Sequence, residues 1–176
     1  METSKVYNML AGEKMDISEK MAATPASTVV LQDIILRPAQ LQDKKEIINA
    51  VDLLYLPIPQ FIWNDEKFVE KQIQNNEYFL VEKDGQVLGV MSLRQRVNKI
   101  NIETLVVKTE FQSRGFGTKF IEFAAEFTKE KGFDTLHAYS FNEYNMVNFY
   151  LKRGFNLLDY SGKYHNYPYY CFEKKL

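Results

Sequence analysis

The sequence predicts an α/β protein in which strands and helices alternate within one folded domain. Its 176 residues are 45% hydrophobic, which supplies enough apolar side chain for a substantial core. From Leu31 onwards, segments with the two-residue alternation of a strand are interleaved with segments that have the spacing of a buried helix face. An Asp84-Gly85 turn between two apolar runs also predicts an antiparallel hairpin.

The first 30 residues differ from the rest of the chain. They are polar and rich in small residues, so we expect residues 1–30 to be a mobile extension and residues 31–176 to form the domain. This start lacks the apolar segment of a secretion signal, and no run approaches the roughly 18 apolar residues that cross a bilayer. We therefore expect a cytoplasmic protein that does not enter a membrane.

Charge and cysteine content exclude several kinds of site. A net charge of -1 argues against a main role in binding nucleic acid, which needs an excess of Lys and Arg. Cys171 is the single cysteine, so an intramolecular disulfide cannot form. With His137 and His165 as the only histidines, a protein-only zinc site is poorly supplied with ligands. We expect neither nucleic acid nor a metal as a partner.

The first elements of the predicted domain are a strand and a helix. The apolar strand covers residues 34–36. Asp43 and Glu46 then have the three-residue spacing of side chains that cap a helix start. Apolar residues within 47–55 lie on one face of this helix, and Pro57 ends it.

Three strands follow a second, shorter helix, for which Asn64 is the predicted N-cap. The first two, at residues 78–82 and 87–93, are joined by the Asp-Gly turn. In the third strand, at residues 100–107, alternate side chains lie on two faces that differ in composition. These elements indicate a sheet with antiparallel neighbours.

The next helix is predicted from phenylalanines at helical spacing, and Gly132 is placed to end it. These residues are Phe116, Phe120, Phe123 and Phe127. A strand at residues 135–141 follows, and then a helix that begins at Asn142 and closes at Gly154.

The C-terminal segment is rich in tyrosine. A strand is predicted at residues 155–160, a turn at 161–163 and an extended segment at 164–174. The tyrosines either shape a binding site or cover the sheet. His137, on the preceding strand, either lines that site or packs within the protein.

The most informative motif joins the strand at residues 100–107 to the phenylalanine helix. The connecting loop and helix start read Gln112-Ser113-Arg114-Gly115-Phe116-Gly117-Thr118. Backbone N–H groups at a helix start lack intrahelical partners and attract anions. Because glycine lets a phosphate approach the main chain closely, the motif predicts an anion site.

Two common phosphate motifs do not fit this loop. A P-loop needs Lys directly after its second glycine, whereas Thr118 follows Gly117. A dinucleotide fingerprint needs a third glycine where this sequence has Phe120.

Two motifs together resemble the GNAT superfamily of N-acetyltransferases. Gln112-Ser-Arg-Gly115-Phe-Gly117 matches the family signature Gln/Arg-x-x-Gly-x-Gly/Ala, five residues after the valine that ends the preceding strand. About 30 residues later, Phe149-Tyr150-Leu-Lys-Arg-Gly154-Phe155 is similar to the second family landmark, a helix that ends in Phe-Tyr-x-x-x-Gly-Phe.

The resemblance implies a GNAT-like α/β (α+β) fold, with a mixed, mostly antiparallel sheet of about six or seven strands flanked by helices. It also implies acetyl-CoA as cosubstrate. The 112–118 loop would bind the pyrophosphate, and the strand edge at Leu105, Val106 and Val107 would pair with the pantetheine arm. Residues 94–119 hold six Lys or Arg against two Glu, a local positive charge that would favour this anion. For any single lysine, a solvated surface is the alternative interpretation.

Two residues are implied in catalysis. Tyr150 resembles the family's general acid at the cosubstrate sulfur, and the alternative is an aromatic residue packed in the core. Glu103, predicted to lie on the same face as Leu105 and Val107, would accept the amine's proton; the alternative is an exposed strand glutamate.

The expected function is therefore N-acetyltransfer from acetyl-CoA to a primary amine, by direct attack in a ternary complex, in a monomer or homodimer. The acceptor is either a small molecule or a protein amine. Its pocket should be formed by loops around residues 55–65 and 160–168, which carry no readable pattern. The alternative is a non-catalytic acyl-CoA-binding or interaction domain on the same fold.

Overall fold

The computed structural model describes residues 29–31 and 34–176, which form one sheet with helices on both faces. The strands are β1 (Val29–Leu31), β2 (Ile34–Pro38), β3 (Tyr78–Lys83), β4 (Gln86–Arg96), β5 (Lys99–Val107), β6 (Thr135–Phe141), β7 (Asn156–Tyr164) and β8 (Tyr167–Lys175). The helices are α1 (Lys44–Val51), α2 (Glu66–Gln74), α3 (Phe116–Glu130) and α4 (Val147–Leu151).

The sheet order is β1-β2-β3-β4-β5-β6-β8-β7. The β5–β6 pair is parallel, and the other neighbouring pairs are antiparallel. In the described part of the chain, β1 is a three-residue edge strand and the other seven strands are longer. The expected fold class, a mixed and mostly antiparallel sheet flanked by helices, is confirmed.

The two faces of the sheet carry separate hydrophobic cores. On one face, α3 and α4 contribute Phe120 and Tyr150 to the first core. On the opposite face, α1 and α2 contribute Ile47 and Val69 to the second. Each of the longer helices therefore buries the apolar stripe that its spacing predicts.

The start of α2 lies one residue beyond the predicted cap. The Asp65 carboxylate accepts a hydrogen bond from the Phe68 backbone N–H at 2.9 Å, so Asp65 is the N-cap. The side chain of Asn64 instead donates to the Asp52 carboxylate at 2.8 Å. Asn and Asp are both favoured at N-caps, and the contact of Asn64 with Asp52 leaves Asp65 as the residue that caps the helix.

The β7–β8 hairpin turns later than predicted. Residues 161–163 lie within β7 and pair with β8, whereas the chain reverses at His165-Asn166, where His165 has φ 45°. Strand pairing therefore overrides the local turn preference of Ser-Gly-Lys. The helix predicted from Asn142 is divided, because a 3-10 turn at Asn142–Tyr144 precedes α4.

The predicted extension lies outside the described residues, apart from Val29 and Val30, which belong to β1. In the part of the chain that the structure describes, no helix is long and apolar enough to cross a membrane.

Candidate active site

The sheet opens between β5 and β6. The two strands pair only where Ile100–Ile102 lies beside Leu136–Ala138. Beyond this point β5 continues to Val107, and its last residues pair with β4. One edge of the segment from Glu103 to Val107 therefore faces the gap, where its backbone N–H and C=O groups can pair with an extended ligand. This segment contains Leu105, Val106 and Val107, which the sequence predicted as cosubstrate-binding.

The loop that follows β5 leads directly into α3. The Gln112 side-chain amide donates to the Val107 carbonyl at 3.0 Å, which fixes the loop to the end of the strand. Ser113 and Arg114 are exposed, and Gly115 precedes α3 with φ 89°, a conformation that suits glycine. The free N–H groups at the start of α3 therefore follow immediately after the open strand edge.

The two sequence motifs meet at the first turn of α3. A Cβ on Gly117 would lie 2.9 Å from the Phe149 ring, so the helices approach closely because residue 117 is glycine. Arg153 stacks 3.7 Å from the centre of the same ring and donates to the Thr118 hydroxyl at 2.9 and 3.2 Å. Phe116 is buried in the core, which leaves its backbone rather than its side chain for a ligand.

The predicted concentration of positive charge at this loop is only partly present. Arg114 and Lys119 belong to the loop and the first turn of α3. The other four basic residues are engaged elsewhere, so most of the local charge excess does not serve the loop. Lys108 pairs with Glu46 (3.0 Å), Lys99 donates to the Tyr139 hydroxyl (2.9 Å), Arg96 approaches Glu103 (3.5 Å) and Arg94 lies over Phe68 (6.0 Å).

Glu103 is the extra residue of a β-bulge. In the β4–β5 register, Leu93 is opposite Ile102 and Ser92 is opposite Thr104, which leaves Glu103 without a partner. The prediction that Glu103 shares a face with Leu105 and Val107 is therefore wrong, because the bulge interrupts the two-residue alternation. Its side chain lines a pocket on the α1–α2 face of the sheet instead.

The Glu103 side chain is only 1% exposed. Burial raises the pKa of its carboxyl, and the positive charges of Arg94 and Arg96 oppose that rise. The Arg96 guanidinium is 3.5 Å from Oε2, and an interaction with the Trp63 side chain also opposes the rise in pKa. Such a carboxylate can bind an ammonium group and accept its proton.

Tyr150 lies on the opposite face of the sheet. It is 4% exposed, stacks on Phe172 at 4.7 Å between ring centres and meets Phe155 edge-on at 5.1 Å. Burial raises the pKa of its phenol, so Tyr150 is protonated at neutral pH. The core packing proposed as an alternative is therefore present. A reaction that uses Tyr150 and Glu103 together must occur across the opening in the sheet.

Aromatic residues build the wall of the Glu103 pocket, which receives lining residues from the 55–65 loop and none from residues 160–168. Phe61 and Trp63 come from this loop, and Tyr139 and Phe141 come from β6. His137 is half-buried on β6 and is not among the residues that line the pocket. Sequence reasoning did not single out Trp63, although a lone tryptophan beside a short helix was a usable signal.

Solved structures of acetyltransferases share this fold. PaiA N-acetyltransferase from Thermoplasma acidophilum, in complex with coenzyme A, has a TM-score of 0.66 at 20% identity, over 81% of this chain and 99% of that chain. Ard1 from Thermoplasma volcanium has a TM-score of 0.69 at 12% identity, over 82% and 98%. N-acetylglutamate synthase from Neisseria gonorrhoeae, complexed with coenzyme A and L-arginine, has a TM-score of 0.65 at 20% identity, over 81% of this chain but 33% of that one.

No curated protein sequence matches the chain significantly. The sequence model of the acetyltransferase (GNAT) family matches residues 48–155, which is more than half of the chain. This range contains both the loop that opens α3 and the α4 segment that contacts it. The open strand edge, the glycine loop and the family match agree, and we conclude that this chain belongs to the acetyltransferase (GNAT) family.

Proposed function

We propose that the protein is an N-acetyltransferase that moves the acetyl group of acetyl-CoA to a primary amine by direct attack in a ternary complex. The observation that carries the proposal is the unpaired edge of β5, which runs without a break into the glycine loop of a GNAT family member. The solved neighbours that contain coenzyme A support the choice of cosubstrate.

The residues present fit this cosubstrate. The edge from Glu103 to Val107 can hydrogen-bond the two amides of the pantetheine arm in the manner of an added strand. The N–H groups from Gly115 to Thr118 can bind the pyrophosphate at the start of α3. Arg114 and Lys119 add positive charge there.

Acetyl-CoA supplies an acetyl thioester, and the protein moves the protons. The acceptor ammonium gives one proton to Glu103, and the neutral nitrogen then attacks the thioester carbonyl carbon. As the C–N bond forms, the C–S bond breaks, and the Tyr150 hydroxyl protonates the departing sulfur. The second proton of the nitrogen returns Tyr150 to its neutral form, and Glu103 releases its proton to solvent.

Cys171 supports direct attack rather than an acetyl-enzyme. It is buried on β8, and burial raises the pKa of its thiol to about 11. A thiol that stays protonated is a poor nucleophile.

The first test is the thermal unfolding midpoint with and without acetyl-CoA, with adenosine monophosphate as the control. A ligand at 100 times its Kd stabilises the folded state by about 2.7 kcal/mol, which raises the midpoint by several degrees. A shift with acetyl-CoA alone, followed by amine-dependent thiol release, supports the proposal. Binding without thiol release for any amine favours a non-catalytic acyl-CoA-binding domain, and no binding favours an interaction domain.

A further inference from the structure

The pocket around Glu103 combines one buried carboxylate with aromatic walls. We propose that the acceptor is a small primary amine that carries an aromatic or branched apolar group and no carboxylate. This inference rests on the proposed function and narrows its substrate class.

Charge selects for the amine. Glu103 lines the pocket beside Trp63, whose indole N–H interacts with the Glu103 carboxylate, so this acid is the charged group that a ligand meets there. Of the residues that line the pocket in the described part of the chain, none is Lys, Arg or His. A ligand carboxylate would therefore meet the negative charge of Glu103, and the nearby Arg96 guanidinium, 3.5 Å from Oε2, is already paired with that carboxylate.

The aromatic walls select for an apolar group beside the ammonium. Trp63 meets Phe61 at 5.1 Å and Phe141 at 5.6 Å between ring centres, both edge-on. Tyr139 and Tyr169 form another part of the lining, with 5.7 Å between their ring centres. Ring faces attract an ammonium group, and the same rings contact an apolar substituent.

A bridge of three tyrosines ties together segments that lie beside the pocket. Phenol groups near α4 and in the β7–β8 hairpin donate hydrogen bonds to backbone carbonyls between residues 54 and 60. These bonds run from Tyr144 to Leu54, from Tyr164 to Gln60 (3.1 Å) and from Tyr167 to Pro57 (3.3 Å).

This tyrosine bridge ties residues 54–60 to the β7–β8 hairpin and to the segment before α4, which keeps an extended polypeptide from passing between them. The cavity beside it has a volume of about 40 Å³, which suits a slender CH₂–NH₃⁺ end. A compact amine therefore fits better than the lysine of a folded protein.

The test compares acceptors that differ only in the carboxylate. Trp63 is the only tryptophan of the chain, so its fluorescence reports binding in this pocket without any need for turnover. We would titrate the full chain, with and without coenzyme A, with 2-phenylethylamine and phenylalanine, and with 3-methylbutylamine and leucine. The same four compounds and a lysine peptide would then be assayed for acetylation.

Each amine should bind with a Kd at least about tenfold lower than that of its amino acid. Its kcat/KM for acetylation should be at least about tenfold higher. Equal or better binding of the amino acids, preference for the peptide, or no saturable binding of either amine would overturn the inference. Binding of the amines without acetylation would leave the pocket's selectivity for amines in place and reject the transfer reaction. The two failures are therefore distinguishable.

Two variants test whether the charge of Glu103 causes the preference for amines. Glu103→Gln should reduce the binding preference for 2-phenylethylamine over phenylalanine to near one, because it removes the like-charge repulsion. Glu143→Gln removes an exposed charge outside the pocket lining and should keep the full preference. A preference that survives in Glu103→Gln would show that this charge does not select the acceptor.

Discussion

Gly117 lies against the Phe149 ring, so close that a Cβ at position 117 would be 2.9 Å from Cε2 of Phe149. Phe149 cannot easily withdraw, because Arg153 stacks on its face and Tyr150 meets it edge-on at 5.2 Å. The start of α3, where a pyrophosphate would bind, is therefore positioned by α4.

Gly117→Ala should destabilise the protein by about 1–3 kcal/mol, through overpacking against Phe149, and weaken acetyl-CoA binding. Thermal unfolding and a binding titration measure the two effects. In the double variant Gly117→Ala/Phe149→Ala the clash is absent, so the two substitutions should cost less together than the sum of their separate costs. Additive costs would mean that the contact does not limit helix approach.

Tyr150→Phe should lower kcat by about 100-fold or more while leaving the Kd for acetyl-CoA nearly unchanged. The substitution removes the hydroxyl and keeps the ring that stacks on Phe172 at 4.7 Å, so the unfolding midpoint should change little. Steady-state kinetics with an identified acceptor, together with a binding titration, test this expectation. An unchanged rate would remove Tyr150 from the reaction.

Arg153→Lys should weaken acetyl-CoA binding by loosening the junction of α3 and α4. Arg153 donates to the Thr118 hydroxyl and to the Phe149 carbonyl (2.8 Å), contacts that a lysine cannot reproduce together. The expected loss of stability is about 1–2 kcal/mol, the scale of hydrogen bonds from a charged group. Lys152→Ala, at the exposed neighbouring position, is the control and should behave like the parent chain.

Glu77 should make stability depend on pH. Burial raises the pKa of its carboxyl from 4.5 to about 7, and the charge of Glu103 adds to that rise, while Arg94, Arg96 and a contact with Gln72 oppose it. Between these two values the folded state holds a proton that the unfolded state has released, so stability falls as pH rises through this window.

Glu77→Gln should therefore gain stability relative to the parent chain above pH 7, by up to about 3 kcal/mol, and lose this advantage below pH 4.5. Chemical denaturation at pH 5, 6, 7 and 8 measures the difference. Glu130→Gln, an exposed control, should leave the pH dependence unchanged. Parallel pH curves for Glu77→Gln and the parent would contradict the assignment of the slope to Glu77.

From the sequence alone we predicted the fold class, the succession of elements from residue 34 onwards and the location of the loop at 112–118. These properties depend on local information: the period of apolar residues, the conformations open to Gly115 and the spacing of two short motifs. The resemblance to a family, which two short motifs carry, also predicted that Tyr150 and the edge of β5 belong near one site.

The directions of several side chains depend on tertiary contacts that local patterns do not show. Glu103 faces the α1–α2 side because β4 pairs with β5 around a bulge, and the sequence of one strand does not reveal where its partner leaves a residue unpaired. Trp63 reaches the pocket because distant tyrosines hold its loop, and the hairpin turns at His165 because pairing extends β7. Register and long-range hydrogen bonds depend on pairs of segments, so the pocket around Glu103 forms only when those segments are brought together.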